Sequence, residues 1–435
     1  MRSGSWRMRA GAAGMAVMLG AGAIVAVVPG SAGASGSSPK VGSTVPSSAM
    51  HTDIGVTATS IRVGNISWAA IFGGAKVGTE AYFDYVNSKG GVHGRKITVT
   101  AQDTGYSGTK NATETQAAIK SDFAMVGGFS IVQTSAGQLL KRNPGFPEVQ
   151  PTVTPANGKL PNLVSPTPLQ GGWQEGSLLY FKKQDPGGYK KAAALVAKNP
   201  SAIDAWNGQE ATMKHLGYTI VYETTFPESA TYNDFVSDVE AMKAKGVKML
   251  FIEQNPTLYA SSLIKALNNE TFHPMVVLGA STYSDTLIPT SGGASATNGM
   301  YLEQDAALYL GTDAKAIPAV TRFLHWTSVA TASAKPTLFT LYGWLSAQLF
   351  TQALQKIGSH PTRGALLKAL GKITSFSGTN LETPVNPAAK TVSNCYLIGR
   401  IKNGKWVRQT DPPISSSTHG YRCTNKYYVP PNTPY

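Results

Sequence analysis

Apolar and polar residues follow two different periods between residues 61 and 130. Short apolar runs at 61–66 and 123–130 and an alternating apolar–polar run at 97–103 are typical of strands. Between them, apolar residues recur every three or four positions, which predicts helices at 75–88 and 109–120. Alternating strands and helices are typical of a parallel sheet with helical crossovers. Ligands of such sheets bind beyond the carboxyl ends of the strands, so we expect a site near residues 65–68, 103–106 and 129–131.

A second series of strands and helices follows a proline-rich stretch. Residues 144–168 contain seven prolines, which exclude a long helix and favour an extended path. The chain is predicted to contain two similar α/β lobes in series, because helices and strands then alternate again, with Asn233 as a possible cap of the third helix. The predicted segments are 172–184, 192–197, 202–216, 218–225, 234–245, 247–252, 258–268 and 275–279.

The C-terminal third shows a long apolar helix and a hairpin. Apolar residues dominate 338–357, which predicts the helix. Asn403 and Gly404 separate two apolar segments, and this dipeptide is the strongest two-residue signal for a hairpin turn. Residues 408–435 contain five prolines and are expected to be irregular.

Composition and charge favour a folded, exported protein. Of 435 residues, 42% are hydrophobic and 14% are charged, which is ordinary for a globular chain. The formal net charge is +14, but the basic residues are scattered and no nucleic-acid motif accompanies them, so no nucleic-acid partner is expected.

The N-terminus predicts export. Three arginines precede an apolar run rich in alanine and glycine, and small residues at 32–34 supply a cleavage site near Ala34. Residues 1–34 are therefore predicted to be a signal peptide whose removal lowers the net charge to +11, with a retained membrane helix as the alternative. Residues 35–53 are rich in serine, glycine and proline and predict a flexible linker.

The two cysteines, Cys395 and Cys423, are predicted to form one disulfide, since the chain is expected to be exported. Closing a loop of this size stabilises the fold by about 3 kcal/mol in the chain-entropy model.

Motifs for catalysis and for cofactors are missing from the sequence. Residues 73–79 lack the Gly-Lys-Ser/Thr order of a phosphate loop, no histidines stand at metal spacing, and Ser281 lacks the second glycine of a nucleophile elbow. No metal or cofactor is expected, and the sequence does not favour an enzyme.

Four blocks carry a resemblance to a known family: residues 61–64, 87–97, 126–128 and 232–252. The block Asn-Ser-Lys-Gly-Gly-Val-His-Gly-Arg-Lys is the most specific of them. In these blocks the chain resembles the solute-binding proteins of ABC transporters, of the branched-chain amino acid (Leu/Ile/Val) binding type.

The resemblance implies a periplasmic-binding-protein type I, or Venus-flytrap, fold. Two similar α/β lobes, each a parallel sheet flanked by helices, would be joined by a hinge of three crossovers and close on a ligand. Lobe 1 would span residues 54–168 plus 298–372, and lobe 2 would span 169–297 plus 373–435.

The resemblance also implies ligand contacts. Ser130 and Thr154 match positions whose hydroxyls bind the ligand, although a strand-end or turn role is as consistent with each. Gln170, Asn255 and Ser281 fall where the family has an acidic residue, an aromatic residue and a carboxylate, respectively. A buried ammonium without a carboxylate is unfavourable, so these departures argue against an α-amino acid ligand, unless Glu253 turns into the cleft.

Several aromatic residues lie near predicted strand ends. Trp68, Phe72 and Tyr283 are candidates for an apolar ligand wall, with packing in the core as the alternative.

The hypothesis from sequence is therefore a monomeric, secreted, non-enzymatic solute-binding protein. It would capture a small polar or amphiphilic ligand, amino-acid-like or a derivative, and deliver it to an ABC permease in the membrane. A ligand-sensing module without transport is the alternative, and a secreted hydrolase is a less favoured one.

Overall fold

The structure is a computed structural model. It describes residues 52–152, 154–168, 172–227, 229–253, 257–332, 335–409 and 412–431. The predicted signal peptide, the linker up to residue 51, Gln170 and Asn255 lie outside the described residues. All described residues belong to one compact unit.

Strands and helices alternate through most of the described chain. The strands are β1 (Ser60–Ser67), β2 (Lys96–Asp103), β3 (Ala124–Val126), β4 (Glu148–Val149), β5 (Leu163–Val164), β6 (Trp173–Gln174), β7 (Ala192–Ala197), β8 (Ile220–Phe226), β9 (Met249–Glu253), β10 (Met275–Leu278), β11 (Tyr301–Gln304), β12 (Cys395–Lys402), β13 (Lys405–Arg408), β14 (Arg422–Cys423) and β15 (Tyr427–Tyr428). The helices are α1 (Ala69–Phe72), α2 (Gly74–Ser88), α3 (Gly108–Ser121), α4 (Thr134–Arg142), α5 (Pro155–Gly158), α6 (Glu175–Gln184), α7 (Pro200–His215), α8 (Tyr232–Ala244), α9 (Thr257–Asn269), α10 (Leu287–Thr290), α11 (Gly293–Thr297), α12 (Pro318–Ala330), α13 (Leu338–Lys356) and α14 (Arg363–Leu370).

The first sheet has five strands in the order β2-β1-β3-β4-β5, all parallel. The strand order reverses between β1 and β3, and ligands of open parallel sheets bind in the crevice at such a switch point. The carboxyl ends of β1 and β3 therefore mark the first half of a site.

The second sheet repeats this order and extends it. Its parallel strands run β8-β7-β9-β10-β11, so the switch point falls between β7 and β9. The antiparallel hairpin β12–β13 continues the sheet beyond β11. Positive φ angles at Asn403 (50°) and Gly404 (72°) form its turn, which confirms the predicted hairpin.

The chain crosses between the two sheets three times. It leaves the first sheet after β5 and leaves the second after β11, when α12 and α13 return to pack on α2. It crosses back from α14 to β12. This is the two-lobed α/β architecture that the resemblance implies, and the predicted fold class is confirmed.

Some sequence predictions need correction. Residues 301–304 form β11 of the second sheet, so a return to lobe 1 at residue 298 is too early. The other lobe boundaries stay predictions. Thr231, not Asn233, precedes α8, and its backbone N–H donates to the Asp234 carboxylate at 2.7 Å.

The C-terminal stretch is more regular than its prolines suggest. Strand β14 pairs with β12, and β15 pairs with β6. The predicted disulfide between Cys395 and Cys423 is present and holds β14 to β12. No described helix is long and apolar enough to cross a membrane.

Helices α2 and α13 pack backbone against backbone. A Cβ atom at Gly78 would lie 1.8 Å from the carbonyl oxygen of Thr340, and one at Gly343 would lie 1.9 Å from that of Ala75. A Cβ atom cannot lie so close to a carbonyl oxygen, so only glycine, which has no Cβ, permits this approach of the two helices. The approach fixes α13, whose residues Phe339 and Tyr342 belong to an apolar cluster with Phe72.

We expect Gly343→Ala to destabilise the protein by roughly 1–3 kcal/mol, because the added methyl group must push α13 away from α2. Gly364→Ala is the matched control: Gly364 lies in α14, and a Cβ there meets no atom within 4 Å. That change should be neutral or stabilise by up to about 1 kcal/mol. Urea unfolding of both variants measures the difference. Equal effects would show that the close helix approach is not required.

Candidate functional site

A cavity of about 300 Å³ lies where the carboxyl ends of the two sheets face each other. Its wall includes residues that follow β1, β3 and β4 of the first sheet and β7, β10 and β11 of the second. Segments next to all three crossings also contribute, as does Tyr427 of β15. The cavity is therefore built from both lobes and from the hinge region between them.

Polar side chains hold the first switch point in place. Asn65 donates to the carbonyl oxygen of Val126 at 3.0 Å and accepts from the Ser67 hydroxyl at 2.9 Å. The backbone N–H of Phe129 donates to that hydroxyl at 3.1 Å. Because these groups are buried and mutually satisfied, they fix the ends of β1 and β3 and aim Trp68 and Phe129 at the cavity.

Aromatic rings form one side of the cavity. The ring of Phe72 lies 4.6 Å from that of Phe339 and 4.9 Å from that of Phe129, centroid to centroid. Phe129 lies 5.7 Å from Tyr342, and Trp68 packs edge-on against Phe72 at 5.7 Å. Such a wall favours the apolar part of a ligand.

Carboxyl groups form another side. Glu303 at the end of β11, Asp305 just after it and Glu382 before β12 all line the cavity. Backbone pairing brings them together, since Ala306 bridges to Glu382 and the N–H of Thr383 donates to the carbonyl oxygen of Asp305 at 2.7 Å. Glu303 is 9% exposed and Glu382 is 3% exposed, whereas Asp305 is exposed to the cavity.

These carboxyl groups are hard to ionise in the empty protein. Desolvation raises the pKa of Glu303 to about 7, and the neighbouring Asp305 adds to the effect. The protein around the cavity raises the pKa of Asp305 to about 6 by desolvation. Burial, with Asp305 nearby, holds the pKa of Glu382 well above its ordinary value. One oxygen of Glu303 and one of Glu382 are buried without a hydrogen-bond partner in the described structure.

The structure brings three of the residues predicted from sequence to the cavity. Trp68, Phe72 and Ser281 lie on its wall. Gln170 and Asn255 lie outside the described residues.

Two further predicted residues, Ser130 and Thr154, are buried behind the cavity wall. Ser130 is fully buried, and its hydroxyl accepts from the N–H of Val132 at 3.3 Å, while its neighbours Phe129 and Ile131 face the cavity. Thr154 is buried two residues from Thr152, which is the one on the wall.

Tyr283 belongs to the core instead of the cavity. Its hydroxyl accepts from the N–H of Leu310 at 2.7 Å, and its ring packs against Tyr309 and Trp406.

Sequence reasoning missed the carboxyl groups and most of the aromatic wall. The run Glu303-Gln304-Asp305 at the end of an apolar segment was a readable signal, because polar residues at strand ends face ligands in this architecture. Glu382, 77 residues beyond Asp305 in the chain, had no such signal. The described residues contain no group of three or more His, Cys, Asp or Glu side chains placed to hold a metal ion.

The C-terminal segment completes the site. The hydroxyl of Tyr427 donates to the carbonyl oxygen of Gly172 at 2.8 Å. The side chain of Gln174 donates to the carbonyl oxygens of Ser393 and Cys395 at 3.2 and 2.7 Å. The first and third crossings are thereby tied together beside the cavity.

We expect Glu303→Gln to stabilise the ligand-free protein at pH 8 but not at pH 5. A raised pKa in the folded state means that Glu303 contributes its full stability below its unfolded pKa of about 4.5 and loses it as the pH rises through 7. The neutral amide avoids this loss, which is at most roughly 3 kcal/mol. Thermal unfolding at both pH values measures it, with the exposed Glu240→Gln as control. A gain at pH 5 as large as at pH 8 would contradict this account.

The sequence and the fold both match known proteins. Residues 61–405 match the periplasmic binding protein family. No curated protein sequence matches the chain. Solved structures that resemble it include a fatty acid ABC transporter substrate-binding protein from Thermomonospora curvata, with a TM-score of 0.68 and 16% identity over 88% of this chain and 95% of that chain.

Amino acid-binding proteins are also among the similar structures. The branched-chain amino acid transporter substrate-binding protein LivJ from Streptococcus pneumoniae, in complex with isoleucine, has a TM-score of 0.65 and 18% identity, with 81% of this chain and 100% of that chain covered. The leucine-binding protein LivK from Thermotoga maritima has a TM-score of 0.66 and 14% identity, with 80% and 98% covered. At these identities the structures show a common fold. Because the family match spans most of the sequence, the chain belongs to the periplasmic binding protein family.

Proposed function

We propose that this protein is the solute-binding component of an ABC importer, acting outside the cytoplasm without catalysis. The observation that carries the proposal is the cavity built from the carboxyl ends of both sheets. Membership of the periplasmic binding protein family supports a solute-binding role, and the similar structures named as ABC transporter components support a permease as the partner.

The cavity suits a small amphiphilic ligand. A volume of about 300 Å³ lies at the lower end for small-molecule sites. Aromatic residues around Phe72 and Phe339 would take the apolar part of the ligand, and Thr152, Ser281 and the carboxyl groups would take the polar part. An apolar wall with few polar groups is the usual composition of a selective ligand pocket.

Capture would proceed by closure of the lobes. The three crossings form the chain path between the sheets, and a hinge needs only a few residues at such places to change φ and ψ. A ligand that touches Trp68 on one lobe and Ser281 on the other binds the closed form better than the open form, so it shifts the population towards closure. The closed shape would then report occupancy to the permease.

The test is ligand binding by the purified mature chain. We expect at least one small ligand from a panel of amino acids, amines, alcohols and carboxylates to raise the melting temperature. A ligand that binds only the folded state adds about 2.7 kcal/mol at a hundredfold excess over its dissociation constant.

We expect Phe339→Ala to weaken binding of that ligand by about tenfold, because the ring supplies part of the apolar wall. Phe272→Ala is the matched control, since Phe272 is also half-buried but packs on the core away from the cavity. Isothermal titration measures both affinities. Equal losses in the two variants, or no stabilisation by any compound, would count against a ligand site in this cavity.

A further inference from the structure

We propose that the carboxyl groups of Glu303, Asp305 and Glu382 receive the protonated amine of an amphiphilic ligand that carries no carboxylate of its own. The ligand's apolar body would lie against Phe72, Phe129 and Phe339. This inference rests on the proposed binding function and adds the chemical class of the ligand.

The charge of the wall points to a cation. No lysine, arginine or histidine is among the described residues that line the cavity, whereas four carboxyl groups are: Asp204, Glu303, Asp305 and Glu382. The whole chain, by contrast, has 38 basic and 24 acidic residues. An acidic cavity in a basic protein therefore selects for a positive ligand.

Unsatisfied oxygen atoms point to a hydrogen-bond donor. One carboxyl oxygen of Glu303 and one of Glu382 are buried and have no partner in the described structure, although both residues line the cavity. Leaving a buried acceptor unpaired is unfavourable. A primary ammonium carries three donors and no acceptor, so it can pair with such oxygens without adding an unsatisfied acceptor of its own.

Other occupants fit less well. A metal ion is disfavoured because no group of three or more acidic, histidine or cysteine side chains in the described residues is placed to hold one. A fatty acid would bring its carboxylate next to Asp305, and like charges in a partly desolvated site repel strongly. An α-amino acid would satisfy the carboxyl groups with its ammonium, but its own carboxylate would meet no cationic side chain on the described wall.

The inference includes a pH dependence. Desolvation raises the pKa of Asp305 to about 6 and that of Glu303 to about 7, so both carboxyl groups are largely neutral at pH 5 and ionised at pH 8. An aliphatic amine stays protonated over this range. Amine affinity should therefore rise with pH.

The other titratable groups around the carboxyl groups do not reverse this trend. Asp204 faces the cavity from α7, and desolvation raises its pKa also. Tyr218, Tyr342 and Tyr421 interact with the three carboxyl groups, and burial raises the pKa of each phenol above its ordinary value, so they stay neutral at pH 8. Tyr427 is the remaining phenol among the described residues of the wall.

Isothermal titration of the mature protein tests the inference with matched probes. The probes are 2-phenylethylamine, 2-phenylethanol, phenylacetate, phenylalanine, hexylamine and hexanoate. We expect the two amines to bind at pH 8 and at least tenfold more weakly at pH 5. The neutral 2-phenylethanol should bind more weakly than the amine at pH 8, with no comparable change with pH.

Asp305→Asn isolates the charge, because this side chain is exposed to the cavity and its replacement leaves the core unchanged. We expect the variant to lose at least tenfold in affinity for 2-phenylethylamine and little for 2-phenylethanol. Glu382→Gln should act in the same direction, and Glu240→Gln, on an exposed face of α8, should leave both affinities unchanged.

The outcomes separate the two proposals. Binding of phenylalanine, phenylacetate or hexanoate in preference to the amines would overturn the amine inference and keep the solute-binding function. Amine binding that is unchanged in Asp305→Asn and Glu382→Gln would also overturn it. If no probe, amino acid or other compound of the wider panel binds, both proposals fail.

Discussion

The close contact between α2 and α13 is the constraint on which the site depends. Gly78 and Gly343 let the two helix backbones touch, and no residue with a Cβ atom fits at either position without displacement. Helix α2 follows β1 and α13 belongs to the return from the second sheet, so this contact joins parts of the chain that are far apart in sequence. It also places Phe339 and Tyr342 opposite Phe72 and so forms the aromatic wall.

The carboxyl side of the cavity has the opposite effect to the helix contact, because it makes the ligand-free protein less stable. Burying Glu303 and Glu382 with unpaired oxygens disfavours the empty, ionised protein, and the raised pKa values report that penalty. A bound donor or cation relieves the same penalty, so part of the unfavourable energy of the empty site becomes selectivity for its ligand. In the proposed amine site, the residues that weaken the fold are therefore also the residues that would discriminate between ligands.

The sequence predicts the elements better than it predicts the site. The sequence predicts both ends of strand β7 correctly. A strand that is buried on both faces of a parallel sheet is apolar at every position, and the six residues of β7 form such a run. The sequence does not predict the two-residue strands β4 and β5, because the prolines that flank them suggest only an extended path. The resemblance points to Ser130, whereas its neighbours Phe129 and Ile131 line the cavity, because a motif gives a position in the chain but not the direction of a side chain. Asp305 and Glu382 are brought close by the β-bridge between Ala306 and Glu382. This bridge joins segments that are far apart in the chain, so the local sequence pattern cannot predict it.

The C-terminal strap, residues 422–428, has a consequence for the order of assembly. It is held to β12 by the disulfide and to β6 by β15, and it places Tyr427 on the cavity wall. The pocket therefore lacks a complete boundary until the last segment of the chain has docked. The ligand therefore meets the full wall only in a chain whose C-terminal strap is in place.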